Sequence, residues 1–317
     1  MSAYRIDIHH HVLPPVYIQA IGDDRIGPLL VSGKTPIWTP RHSIEAMDRN
    51  GIEKAITSLS APNLWFDDVE KTRRLTRECN EYSAQVRDDH PRRFGLFASL
   101  TLPDIEGSLR EITYALDELN ADGVSLLTNY DGKYPGEPEF APIFEELHRR
   151  HAIVHFHPAE APDNNPHRLP IPAATLDFPF ETTKAVTSLL VHGTLARSRN
   201  IRFIFSHAGG TIPFLAERIA RLEMRPEFRA KIPDGVMFEL KRLYFDTALS
   251  ANKLIFSALL KFVSHEQVLF GSDYPYAPEA TTSASIKGLA NLGLPPDVLH
   301  AIERTNALRL LRATETV

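Results

Sequence analysis

The chain has 317 residues, 43% of them hydrophobic and 24% charged, with a formal net charge of −5. Those values fit an ordinary globular protein able to bury a core without cross-links, and they argue against nucleic acid or an anionic membrane as partner. No apolar run reaches the roughly 18 residues that a membrane helix needs. The lone cysteine, Cys79, excludes an internal disulfide and fits a reducing cytoplasm, and its charged setting TRRLTRECNEY reads as helix surface or core edge. The start MSAYRIDIHHHV lacks the basic-then-apolar pattern of a secretion signal.

Short β-rich runs alternate with longer helical patterns along the chain. Strands are predicted at 4–9, 54–60, 94–101, 123–128, 152–157, 201–206, 243–247 and 267–272. Helical patterns fall at about 41–50, 68–89, 105–119, 139–150, 181–199, 212–222, 251–262 and 280–311. Eight β–α alternations predict a (β/α)8 TIM barrel, and the absence of a Gly-rich loop after the first strand argues against an open dinucleotide-binding sheet. The proline-rich stretch 12–40 reads as an insertion after strand 1, and 158–180 as a second long loop after the fifth strand. Both follow strands, which places them on the face where barrel active sites form. With no repeat, low-complexity tract or linker, 1–317 reads as a single domain.

The residues with chemistry cluster at predicted strand ends. His9 and His11 lie two apart, so they share a face and can grip one ion, while His10 points the other way. The aromatic pair Trp65 and Phe66 follows strand two, and Phe178 and Phe180 lie in the long loop after strand five; these four could wall an aromatic ring or simply anchor their loops. VHFHPAE ends strand five: His157 reads as a ligand and His155 as a histidine of the barrel interior. In FIFSHAGG, His207 is either a second metal ligand or an acid/base, and the Gly pair allows a tight turn. Asp246 ends strand seven, where support of a ligand and capping of the next helix are equally open. Asp273, in VLFGSDYPY, completes a mixed nitrogen and oxygen donor set with His9, His11 and His157.

Taken in order, HHH at 9–11, HFHP at 155–158, FSHAGG at 205–210 and LFGSDYP at 269–275 resemble the amidohydrolase superfamily over essentially the whole chain. The branch they look most like contains aminocarboxymuconate-semialdehyde decarboxylase and related non-oxidative decarboxylases. That resemblance implies His9, His11, His157 and Asp273 as metal ligands and His207 as a catalytic non-ligand. It also implies Arg218 as a substrate-carboxylate arginine, supplied in the family by a neighbouring subunit and hence in a homodimer. Strand four reads GVSLLTNY without the bridging Lys of binuclear relatives, so one divalent ion is expected, zinc first and manganese as the alternative. The branch's second carboxylate-binding Arg has Ser43 as its nearest match here, with Arg41 two residues earlier, which disfavours a dicarboxylate. The stretch 177–210 looks more like relatives acting on hydroxybenzoates, such as 6-methylsalicylate decarboxylase.

The expected reaction is therefore metal-dependent decarboxylation of a hydroxylated aromatic acid, with Asp273 protonating the ring carbon and His207 assisting. Trp65, Phe178 and Phe180 are the candidate ring contacts. The alternative is metal-dependent hydrolysis of a lactone or amide by the same ligands, with Asp273 as general base. A metal-binding barrel without catalysis is a third reading, weakened by the acid/base capacity of His207 and Asp273.

Overall fold

The computed structural model describes residues 4–161 and 169–312. Eight parallel strands follow one another in chain order: β1 (Arg5–His11), β2 (Ile52–Ser58), β3 (Phe94–Ser99), β4 (Gly123–Leu127), β5 (Ile153–His157), β6 (Arg202–Phe205), β7 (Tyr244–Asp246) and β8 (Val268–Leu269). β8 returns to β1 through backbone hydrogen bonds. Ile8 N–H donates to Phe270 O at 2.9 Å, Asp273 N–H to His9 O at 2.8 Å, and His11 N–H to Tyr274 O at 2.7 Å. The sheet therefore closes, and the architecture is the (β/α)8 barrel.

Every predicted strand lies within a few residues of an observed one. The barrel interior is packed by Ile6, Ile8, Ile56, Phe97, Ile153, Ile204 and Leu269, with Ala307 and Leu310 of the last helix joining that cluster. The larger apolar cluster contains core residues of the helices, such as Leu75, Phe144 and Leu189, together with residues of the strands.

Three boundaries differ from the sequence reading. The insertion after β1 holds short helices at Pro15–Ile21 and Asp23–Ile26, and Pro40 opens the helix Pro40–Asn50. The helix Asp177–Val191 begins inside the stretch read as loop. The pattern at 280–311 is not one helix: Glu279–Ala290 ends before Gly293 at φ 77°, and Pro296 begins the next short helix. Proline has no N–H to continue a helix, so Leu-Gly-Leu-Pro-Pro breaks it.

Candidate metal centre and cavity

β1 aims its histidines with a register shift. Asp7 pairs with Ala55 and His10 with Thr57, so one extra residue sits on β1 between them. Strict alternation would put Asp7, His9 and His11 on one face. Instead Asp7 and His10 meet, His10 Nδ1 being 3.0 Å from Asp7 Oδ2, and His10 Nε2 reaches Ser43 Oγ at 2.5 Å. The Asp7 carboxylate also accepts from His9 N–H (3.1 Å), Ser272 N–H (3.0 Å) and Ser272 Oγ (2.5 Å). This buried network ties β1 to the turn carrying Asp273, while His9 and His11 face inward.

His9, His11, His157 and Asp273 are all buried and offer four ligand atoms within 4.8 Å of one another. His9 Nε2 lies 3.0 Å from His11 Nε2, and Asp273 Oδ1 lies 3.0 Å from His11 Nε2 and 3.4 Å from His9 Nε2. Each of the three imidazoles uses Nδ1 elsewhere. His9 Nδ1 donates to Asp246 Oδ2 (2.8 Å), His11 Nδ1 to Ser58 O (3.2 Å), and His157 Nδ1 to Pro158 O (2.8 Å). Such outer partners fix the tautomer and leave three Nε2 lone pairs beside one carboxylate. Three imidazoles and a carboxylate are a donor set that suits a divalent ion of the zinc type.

Electrostatics point the same way. Burial alone would lower the His9 pKa, yet the Asp246 and Asp273 carboxylates carry it up to about 10. Burial holds His11 below the ordinary histidine value; burial and the neighbouring imidazoles hold His157 well below it. Burial would raise Asp273, but His9, His11 and His207 keep it well below the usual carboxylate range. The cluster thus attracts positive charge to the His9–Asp273 side, a demand that a divalent ion meets by displacing the proton.

Asp246, for which two readings stood open, supports the site. Besides His9 it accepts from the backbone N–H groups of His207 and Ala248, each at 3.0 Å. His155 is buried in the interior, 3.3 Å from Ser206 Oγ and 3.6 Å from Asp246 Oδ2, and stacks on Phe97. His9, His155 and Asp246 form a second candidate ligand triple, but its His9 Nδ1 is already engaged by Asp246. His207 is not one of the four candidate ligands, but its Nε2 lies 3.4 Å from Asp273 Oδ2. Its φ of 54° and those of Ala208, Gly209 and Gly210 are all positive. A Cβ on Gly210 would come 2.1 Å from Pro179 O, so only glycine fits that turn.

Above the cluster opens a cavity of about 690 Å³ whose lining includes His157, His207, Asp273, Ser60, Phe178 and Tyr276. Phe178 packs edge-on to His157 at 5.9 Å between ring centroids. The other aromatic candidates are not brought there. Trp65 lines a separate pocket and donates to Asp67 at 2.9 Å, and Phe180 is 45% exposed outside the cavity lining. Arg218 is exposed on the helix Ile212–Ala220 and outside the lining of its own chain's cavity. Arg41 is exposed and pairs with Glu45, and Ser43 is buried against His10. Among the described residues no Arg or Lys lines the cavity. Tyr276, which the sequence reading missed, lines it and stacks edge-on to His11 at 5.1 Å; it follows Asp273 by three residues in the same motif.

The sequence profile of the amidohydrolase family matches residues 6–313. The chain is 39% identical to the 6-methylsalicylic acid decarboxylase of Aspergillus aculeatus, over 96% of this chain and 95% of that one. A crystal structure of an amidohydrolase II protein superposes with a TM-score of 0.90 at 30% identity, covering 97% of this chain and 99% of that one. The 5-carboxyvanillate decarboxylase of Novosphingobium aromaticivorans, crystallised with manganese and 4-hydroxy-3-methoxy-5-nitrobenzoic acid, superposes with a TM-score of 0.86 at 21% identity, covering 98% and 96% of the two chains.

Proposed function

Because the chain belongs to the amidohydrolase family, we propose that it works by that family's metal chemistry as a non-oxidative decarboxylase of a hydroxylated aromatic carboxylic acid. The observation that carries this reading is the division of the Asp273 carboxylate. Oδ1 faces the His9–His11 pair, and Oδ2 faces His207 at 3.4 Å. One oxygen would join the donor set, and the other, beside His207, would be free for proton transfer beneath the cavity.

His9, His11, His157 and Asp273 would hold one divalent ion. When bound, it supplies Lewis acidity and an anchor for the phenolate and carboxylate oxygens of an ortho-hydroxy acid. Phe178 offers its ring as a wall for the aromatic ring. His207 relays a proton to Asp273 Oδ2, and Asp273 delivers it to the ring carbon bearing the carboxylate. The bond from that carbon to the carboxylate then breaks, its electron pair returns to the ring, and carbon dioxide leaves with that carbon bearing the new hydrogen. His207 Nδ1 is buried and has no hydrogen-bond partner among the described residues, which leaves it for a substrate oxygen.

The imidazole-rich set supports zinc as the ion; the manganese of the Novosphingobium enzyme supports manganese as the alternative. Arg218 makes no ion pair with a described residue, and Phe214, one turn before it, is 85% exposed. A bare cation and a bare ring on one helix face support a homodimer in which Arg218 reaches the neighbouring site. The reading of 1–317 as one catalytic domain and its place in the cytoplasm rest on the sequence. No helix among the described residues is long and apolar enough to cross a membrane. Incubating metal-loaded protein with ring-hydroxylated benzoates and with lactones tests the function: carbon dioxide release supports it, and acid release from a lactone alone replaces it with the hydrolase.

A further inference from the structure

The cavity is much larger than one ring requires. Roughly 150 Å³ holds a benzene molecule, and about 690 Å³ is open here above the metal centre. Its apolar lining comes from separate connections: Leu30 and Val31 from the insertion after β1, Pro179 from the helix after β5, Leu249 and Ile255 from the segment after β7, and Pro278 after β8. Apart from His157, His207 and Asp273, the polar side chains on the lining are the hydroxyls of Ser32, Ser60, Thr175, Ser250, Tyr276 and Thr281 among the described residues.

At the mouth, Leu249 is held in a conformation that leucine avoids, with φ at 54°. The turn around it is fixed by three hydrogen bonds. Ala248 N–H donates to Asp246 Oδ1 (3.0 Å), Ser250 N–H to Thr247 O (3.0 Å), and Gly271 N–H to Thr247 Oγ1 (3.1 Å). Backbone strain over-determined in this way tends to mark ligand clamps. Here it presents an apolar side chain that lines the cavity yet is 47% exposed, and Val31 lines the same cavity at 78% exposure. About half of Leu249 and most of Val31 are left uncovered.

We infer that the substrate carries an apolar substituent substantially larger than methyl, an alkyl chain or a second ring, which covers Leu249 and Val31 while the ortho-hydroxy acid end sits at the metal centre. The inference rests on the decarboxylase reading and adds to it the class of the substituent. Full burial of a methylene raises affinity about four-fold, and half burial about two-fold. Lengthening a ring substituent from methyl to pentyl should therefore raise kcat/KM by at least roughly ten-fold.

The test uses protein of measured metal content and salicylates bearing methyl, propyl or pentyl groups, in one series at ring position 4 and in another at position 6. A rise of that size in either series supports the inference. Decarboxylation of the methyl compounds with a fall along both series overturns it and leaves the decarboxylase reading standing. No decarboxylation of any compound removes both. Leu249→Ser and Val31→Ser, on different connections of the barrel, should each lower the pentyl-to-methyl ratio of kcat/KM by roughly three-fold. An unchanged ratio in both variants, with folding verified by circular dichroism, overturns the assigned contacts.

Discussion

The Nε2 atoms of His9 and His11 stand 3.0 Å apart while their Nδ1 atoms are engaged by Asp246 and by the Ser58 carbonyl. Two ring nitrogens that close need a proton or a metal ion between them. Protein purified without a tag should contain one divalent ion per chain. His9→Ala, His11→Ala and His157→Ala should each lose it. His207→Ala should keep it and lose roughly 10²–10⁴-fold in kcat. Elemental analysis beside steady-state kinetics checks this; two ions per chain, or a fully active His207→Ala, would contradict it.

Asp246 orients His9 and the backbone of His207 together. Asp246→Asn keeps the size but removes the charge that stabilises the His9 N–H. Metal affinity should fall roughly 10- to 100-fold, as for other outer partners of ligand histidines. Competition with a chelator measures it. Unchanged affinity would mean that Asp246 serves the turn after β7 alone.

Phe178 is one of two aromatic residues beside the cluster, packed edge-on to His157 as Tyr276 is to His11. Phe178→Ala should lower kcat/KM by roughly three- to ten-fold through loss of ring contact, with metal content unchanged. A variant that loses metal instead would show that the ring's role is to hold His157.

Arg218 is exposed and outside the cavity of its own chain. If it serves a neighbouring subunit, Arg218→Ala and His207→Ala should each be impaired, and mixed, reassociated dimers should regain activity. One site of each hybrid then has an intact His207 and an intact Arg218. Mixing without recovery, in protein shown by sedimentation to be dimeric, would contradict the shared site. Arg218→Lys should raise KM, because an ammonium lacks the planar fork that grips a carboxylate.

The barrel and the candidate metal set were legible because strand alternation reports where a side chain points. Histidines two apart at a strand end, and an aspartate just past an apolar run, are visible without the fold. What lay hidden were relationships set by contact across the chain. Asp246 meets His9 from 237 positions away. The register shift in β1 that separates Asp7 from His9 depends on pairing with β2. Loop residues gave the weakest guidance because no period fixes their direction. Phe178 faces the cavity from the first turn of a helix, whereas Trp65 turns to Asp67 and Phe180 lies on the surface. The helix break at Leu292–Pro296 was written in its prolines, but the apolar spacing on either side masked it.

In the proposed reaction Asp273 delivers a proton to the ring carbon that loses carbon dioxide. The direct measurement is single-turnover reaction of the metal-loaded protein with an ortho-hydroxy aromatic acid in deuterated water, with the product read by NMR. One deuterium should appear, at the carbon that carried the carboxylate, and Asp273→Asn should lose the reaction. Product without deuterium at that carbon would contradict it, as would lactone opening by a protein that leaves every such acid untouched.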